Sequence, residues 1–317
     1  MTTIENPPVQ VTHQVTIAAD PDLVYALVAD VAGWPWTFAP TVHVEVLEAA
    51  PSASGVERLK LWALANGAVR SWTSRRELDP VGRTVRFAQE VPATPVLSMS
   101  GEWRITAIGA GRTLVELLHT WTAADDDADR LISRAVQTNS TAELAALRTA
   151  AEQGADRSGL LLDFTDTVDI PGGGPAAVYA FLRDAARWPQ RLPHVARLDL
   201  VEDEPGVQVM EMDTWAGDGP VHTTRSVRVC LDGTIVYKQT ATPEVMAAHV
   251  GRWRVEAVAG GARVSSRHIV VLDPRGVTAA LGADGTIGRA RELVRAKLGA
   301  NSTTTMRHAA AFAAGRS

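Results

Sequence analysis

The chain has 317 residues, of which 46% are hydrophobic and 21% charged, so it can bury real cores, and its length suggests about two domains. A net charge of −5 argues against a general electrostatic nucleic-acid binder, which needs an excess of Lys and Arg to neutralise phosphates. The single cysteine, Cys230, excludes an internal disulfide or a multi-cysteine zinc or iron–sulfur site, and a reducing cytoplasmic setting is the simplest expectation.

The first residues, Met1 to Pro8, carry neither a basic nor an apolar signal region. No uncharged apolar stretch approaches the roughly 18 residues of a membrane span. A strand over about Thr12 to Ile17 precedes an apolar helix over Pro21 to Val31, with Pro21 suited to its start and Trp34-Pro35 beyond its end. Alternating segments then predict strands at Thr41 to Glu48, Arg58 to Leu64, Ala68 to Leu78, Thr84 to Glu90, Leu97 to Ile108 and Arg112 to Ala123. A long helix follows. Asp125-Asp126-Asp127 places negative charge at its positive end, and Leu131, Ile132, Ala135, Val136, Leu144 and Leu147 form its apolar stripe. Gln153 to Leu160 reads as a linker.

The pattern then repeats. Pro21 to Pro35 returns as Pro175 to Pro189, with Val24-Tyr25-Ala26, Asp30 and Trp34-Pro35 matching Val178-Tyr179-Ala180, Asp184 and Trp188-Pro189. Gly101-Glu102-Trp103-Arg104 matches Gly251-Arg252-Trp253-Arg254; His119 matches His268; Asn139-Ser140-Thr141 matches Asn301-Ser302-Thr303. The second copy carries an insertion around Leu272 to Gly285. Two domains are therefore expected, 1–155 and 156–317, each long enough for its own core. Strand, short helix, many antiparallel strands and a closing helix is an α+β arrangement. A curved sheet wrapped on that helix leaves a cavity between them.

Nine Trp stand against five Phe and three Tyr, which suggests a cavity walled by flat surfaces. On the strand Ala68 to Leu78, alternation sets Arg70, Trp72, Ser74, Arg76 and Leu78 on one face, read as the inner one. A guanidinium buried there needs a carboxylate or an anionic ligand. Val115, Leu117, His119 and Trp121 share a face of a later strand, and histidine is suited to proton transfer near neutrality. The second copy has Thr224, Ser226 and Arg228 where the first has Trp72, Ser74 and Arg76, with the inward direction of Arg228 less evident. No Walker loop, dinucleotide fingerprint, zinc-protease helix or nucleophile elbow is present, so no cofactor or metal is expected and the chemistry reduces to proton transfer and electrostatics.

The run Trp72-Thr73-Ser74-Arg75-Arg76, the Trp34-Pro35 and Trp188-Pro189 turns, Pro40 to Glu48 and Asn139-Ser140 resemble the didomain aromatase/cyclases of bacterial type II polyketide synthases. The resemblance implies a tandem pair of helix-grip domains, similar to START and Bet v 1 folds. It implies aldol closure of the first ring of a poly-β-ketone, C7 to C12, followed by dehydrative aromatisation. The substrate would be carried by an acyl carrier protein, with a ketosynthase/chain-length factor and a ketoreductase as further partners, and no nucleic acid or membrane. Carried over, Arg76, Ser74 and His119, with Arg228, Ser226 and His268 in the second copy, are candidate catalytic residues. Trp34, Trp62, Trp72, Trp103 and Asn139, with Trp188, Trp215, Thr224, Trp253 and Asn301, are candidate substrate-binding residues. On this reading Arg76→Ala costs product and spares the fold. Two arginine-rich groups are candidate carrier-docking patches: Arg75, Arg83 and Arg86, or Arg289, Arg291, Arg295 and Lys297. The rival reading is a non-catalytic START-like carrier of an aromatic or lipid ligand. Another rival gives catalysis to one copy alone.

Overall fold

The computed structural model describes residues 7–154, 156–215, 221–282 and 285–315. The chain divides into two units, Met1–Arg157 and Ser158–Ser317. The first holds β1 (Val9–Ile17), α1 (Pro21–Ala29), α2 (Trp34–Thr37), β2 (Thr41–Glu48), β3 (Gly55–Ala65), β4 (Ala68–Asp79), β5 (Thr84–Val91), β6 (Val96–Gly109), β7 (Arg112–Ala123) and α3 (Asp126–Glu152). After α4 (Asp156–Leu160) the second holds β8 (Leu161–Pro171), α5 (Pro175–Arg183), α6 (Trp188–Arg191), β9 (Val195–Glu204), β10 (Val207–Trp215), β11 (Val221–Leu231), β12 (Thr234–Ala241), β13 (Met246–Val258), β14 (Gly261–Leu272), α7 (Pro274–Leu281) and α8 (Ile287–Ala313).

Each unit is built on one seven-stranded antiparallel sheet, in the orders β1-β7-β6-β5-β4-β3-β2 and β8-β14-β13-β12-β11-β10-β9. The first strand of each unit closes against the last, so the sheet curls around the long helix. These are two helix-grip domains in tandem. In α3 the buried positions Ala128, Ile132, Val136, Ser140, Leu144, Leu147 and Ala151 recur every three or four residues, the spacing of one helix face. Asp125 begins that helix by accepting a hydrogen bond from the Ala128 amide at 2.8 Å.

Three local expectations shift. The first helix stops at Ala29 rather than Val31, because Asp30 caps a separate 3-10 turn by accepting from the Ala32 amide at 3.1 Å. The expected linker contains the short helix α4. The insertion of the second copy folds as α7, whose start Asp273 caps by accepting from the Arg275 amide at 2.9 Å. Residues 283 and 284, within that insertion, lie outside the described residues. Among the described residues no helix is long and apolar enough to cross a membrane.

Candidate functional site

The first domain encloses a cavity of about 410 Å³ between its sheet and α3. Strand alternation delivers Arg70, Trp72, Ser74 and Arg76 of β4 to it together, as the sequence reading expects. Trp34 and Trp103 supply further walls, and Phe38 stacks on Trp103 with ring centroids 6.2 Å apart. Asn139, Ser140 and Glu143 line it from α3, and His119 from β7.

Arg76 is almost wholly buried, at 2% exposure, and its donors are largely committed. Nε donates to Glu57 Oε1 at 2.7 Å, Nη1 to the Val28 carbonyl at 3.1 Å and Nη2 to the Ala29 carbonyl at 2.8 Å; Nη2 also contacts Glu57 Oε1. The two carbonyls belong to the last turn of α1, whose unsatisfied acceptors and dipole favour a cation. The guanidinium also lies over the Trp34 ring, 5.0 Å from its centroid. Burial pulls its pKa below the ordinary value and the Glu57 charge opposes this. Of the five guanidinium N–H groups, one on Nη1 has no partner among the described residues. Of the two partners that the sequence reading left open, a carboxylate or an anionic ligand, the structure supplies an internal carboxylate. Glu57 was missed there, although the two-residue Asn66-Gly67 turn between β3 and β4, with φ of 50° and 80°, fixes the register that sets Glu57 opposite Arg76.

The other polar groups differ in how free they are. Ser74 Oγ donates to the Ala88 carbonyl at 3.1 Å, and Asn139 Nδ2 to the Leu64 carbonyl at 2.9 Å. His119 packs edge-on to Phe87, and its buried Nδ1 has no hydrogen-bond partner among the described residues. Burial, with the nearby His13 adding to it, pushes its pKa down to about 4, so the imidazole is neutral at pH 7. Glu143 forms no hydrogen bond or ion pair among the described residues, and burial alone pushes its carboxyl up to about 7. Its position, one helical turn after Asn139, is the signal that would have found it.

The second domain repeats the frame with different chemistry. Arg228 is buried over the Trp188 ring, 5.0 Å from its centroid, so it does point inward. It donates to Gln208 Oε1 at 2.7 Å and to the Leu182 carbonyl at 2.5 Å; Gln208 stands in the register position of Glu57, so the acceptor here is neutral. His268 is the hub of a polar group. Its Nδ1 lies 3.1 Å from both the Tyr237 hydroxyl and His249 Nε2, and its Nε2 lies 3.1 Å from Ser266 Oγ. Burial pushes His268 down to about 4 and His249 to about 3, and raises the Tyr237 phenol. Strand register places Phe87, Met99 and Leu117 at the corresponding positions around His119. The second copy thus has three polar residues where the first has apolar ones.

The comparisons with known proteins bear on the whole chain. The profile of the family described as polyketide cyclase/dehydrase and lipid transport matches residues 8–152 and again 162–308. The chain belongs to this family. As a didomain aromatase/cyclase it has full-length relatives: it is 44% identical, over 94% of its length and 92% of the relative's, to the granaticin polyketide synthase bifunctional cyclase/dehydratase of Streptomyces violaceoruber. It is 42% identical, over 96% of both chains, to the actinorhodin polyketide synthase bifunctional cyclase/dehydratase of Streptomyces coelicolor. Among solved structures, the di-domain ARO/CYC BexL of the BE-7585A biosynthetic pathway superposes with a TM-score of 0.84 at 44% identity, covering 96% of this chain and 98% of that one. The di-domain ARO/CYC StfQ of the steffimycin pathway gives 0.83 at 33% identity, covering 96% and 99%. The chain is an enzyme, a polyketide cyclase/dehydratase.

Several residues expected in the site of this aromatase/cyclase fall elsewhere. Trp62 lies on the face of β3 opposite to the cavity-lining Leu59, Leu61 and Ala63, where its ring stacks on His43. The expectation treated every Trp as a wall, and strand parity decides against this one. Trp215, at the end of β10, is 55% exposed, and Asn301 is exposed on α8, unlike its counterpart Asn139. Thr224 is half-buried and directs its hydroxyl to the Met212 carbonyl at 3.4 Å; Ser226 and Trp253 are buried. In the arginine groups, Arg83 pairs with Asp22, Arg86 with Glu102 and Arg295 with Asp166, while Arg291 donates to the Gly159 and Leu161 carbonyls. Two of the three cations of the first patch and one of the four of the second are thereby paired with carboxylates.

Proposed function

We propose that the first-domain cavity receives a poly-β-ketone tethered to an acyl carrier protein and closes its first ring between C7 and C12. The observation that carries this is the cavity itself: about 410 Å³, walled by Trp34, Trp72 and Trp103, and holding Ser74, Arg76, His119, Asn139 and Glu143 within one enclosure. A passive apolar carrier has no need of that polar set, and the volume falls in the range of small-molecule sites.

Ring closure needs an enolate carbon held against a polarised ketone. Flat walls restrict how a long flexible chain folds, which is a positioning contribution. The uncommitted Arg76 N–H is a preorganised donor for the oxygen on which charge develops. Ser74 and Asn139, fixed through their own hydrogen bonds, shape the polar side of the cavity. His119, neutral at pH 7, serves as a hydrogen-bonding group to substrate oxygen rather than as a strong base. The carrier protein, the ketosynthase/chain-length factor and a ketoreductase are the partners this reading calls for.

The test is product analysis by liquid chromatography and mass spectrometry of a minimal polyketide synthase, with and without this chain and with and without a ketoreductase. A shift to one first-ring aromatic product is expected. An unchanged mixture in every combination would overturn the reading and favour a binding protein.

A further inference from the structure

Arg76 and Arg228 hold matching places in the two domains, but the register position that carries Glu57 in the first carries Gln208 in the second. Arg76 commits four of its five N–H groups, two of them to the Glu57 carboxylate. Arg228 is 1% exposed, and two of its five N–H groups meet acceptors among the described residues, Gln208 Oε1 and the Leu182 carbonyl, both neutral. The Trp188 ring beneath the guanidinium is neutral as well. Glu202 acts on Arg228 only from behind Gln208, whose Nε2 donates to Glu202 Oε2 at 2.8 Å. That carboxylate is itself engaged by Arg183 at 2.9 Å and by the Gly206 amide at 2.8 Å. A buried guanidinium calls for a carboxylate or an anionic ligand. The first domain answers with Glu57; among the described residues the second sets no carboxylate against its arginine.

The neighbours of Arg228 are polar and flat. Strand register sets Arg228, Tyr237, Gly251 and His268 in one row across four strands. Directly paired residues stand about 5 Å apart, so guanidinium and phenol share one strip of the inner face. His268 Nδ1 lies 3.1 Å from both the Tyr237 hydroxyl and His249 Nε2, and one ring nitrogen makes one such bond at a time. When His249 takes it, the phenol is free to donate to a ligand. His249 Nδ1 is buried and has no hydrogen-bond partner among the described residues, the mark of a water or ligand site. Along the inner face of β11 His222 is exposed, Thr224 half-buried, and Ser226 and Arg228 buried. Arg70, Trp72, Ser74 and Arg76 of β4 show the same gradient, and there it follows the wall of the first-domain cavity from its mouth inward.

We infer that the second domain holds a binding site of its own, in which Arg228 and the Tyr237 hydroxyl receive the oxygen of a planar oxyanion, an enolised β-dicarbonyl or a phenolate. The guanidinium supplies the positive charge and its unmatched N–H groups, and charge-assisted hydrogen bonds of this kind are the strong ones. The phenol adds a neutral donor. Trp188 below the guanidinium, and Phe164 stacked on His268 with centroids 4.9 Å apart, give the site flat walls. A flat ring with an acidic oxygen matches those walls better than a plain carboxylate does. The positive charge favours the ionised form of the ligand, so binding releases its proton to solvent. Phe87 stands where Tyr237 does, and Glu57 neutralises Arg76, so the first domain lacks this site. The inference stands on the second domain alone and does not depend on where the first ring closes.

The experiment titrates full-length protein with 4-nitrophenol, which is yellow only as the phenolate, at a pH where the free probe is mostly protonated and colourless. Dimedone, a cyclic β-diketone, is titrated in parallel by calorimetry, with acetate as the plain carboxylate. The wild type is expected to hold 4-nitrophenol in its yellow form, to bind dimedone, and to bind acetate far more weakly. Arg228→Gln is expected to weaken the first two by about 100-fold or more, and Tyr237→Phe by about 10-fold. Circular dichroism and thermal unfolding check that each variant is folded. Tyr237→Phe keeps the ring, and it carries the test if Arg228→Gln does not fold. Binding of only one of the two probes supports the site and assigns it to the phenolate or to the enolate. A wild type that binds neither would overturn the inference. So would wild-type affinity in the variants, which would place the probe elsewhere in the chain, or acetate bound as tightly as the flat probes.

Discussion

Glu57 and Arg76 form a buried pair across the register of two adjacent strands, with Nε 2.7 Å from Oε1. Arg76 is thus a clamp on the last turn of α1 as well as a member of the cavity wall. Removing one partner of such a pair strands the other charge, which costs roughly 3–5 kcal/mol. Arg76→Ala and Glu57→Ala are expected to show that loss in urea denaturation at pH 7. This replaces the expectation that Arg76→Ala spares the fold. Glu57→Gln, which copies the Gln208 acceptor of the second domain, is expected to cost clearly less. Equal losses for Ala and Gln at position 57 would show that a neutral acceptor cannot replace Glu57 and that its charge carries the pair.

Gly251 makes room for Tyr237. A Cβ there would fall 2.2 Å from Tyr237 Cζ, far inside contact distance. The ring therefore crosses the backbone at residue 251, and its hydroxyl reaches His268 at 3.1 Å. Gly251→Ala must push the ring aside and is expected to cost about 1–3 kcal/mol, the range for overpacking. Tyr237→Phe keeps the ring and removes only the hydroxyl, so a loss nearer 1 kcal/mol is expected. Thermal or urea unfolding of the two variants reads the difference.

The buried imidazoles make stability fall on the acid side. His119, His249 and His268 have folded pKa values of about 4, about 3 and about 4, below the ordinary 6.5. Between pH 6.5 and 4 the unfolded chain binds more protons than the folded one, so stability present above pH 6.5 is lost as the pH falls through that window. His249 and His268 touch, and they titrate as a pair. His119→Leu is expected to reduce the acid loss of the first domain by roughly 2 kcal/mol, measured as the change in stability between pH 7 and 4.5. An unaltered pH dependence would contradict the burial argument.

Glu143 acts with the opposite sign. Its carboxyl is raised from 4.5 to about 7, so the folded protein holds a proton that the unfolded chain has released. Stability is complete below pH 4.5 as far as this group is concerned and declines as the pH rises to 7. Glu143→Gln is expected to raise stability at pH 8 by up to roughly 3 kcal/mol and to leave it unchanged at pH 4. Equal stability of the variant and the wild type at both pH values would mean that the carboxyl is well solvated.

Sequence by itself settled whatever depends on local period and on repetition. The duplication was legible in paired runs such as Val24-Tyr25-Ala26 and Val178-Tyr179-Ala180. Alternation along β4 correctly joined Trp72, Ser74 and Arg76 on the cavity face, and the Asp125 cap marked the start of α3. Partnership and burial were decided only by the tertiary structure. Trp62 differs from Trp72 by the parity of its strand, Asn301 differs from Asn139 by exposure, and Glu143 stands alone because α3 turns that position toward the cavity. A side chain's charge state and hydrogen-bond partners depend on what neighbouring strands and helices bring within a few ångströms. That distance is set by register and helix rotation across the whole domain, whereas the periods that reveal strands and helices are written over a few consecutive residues.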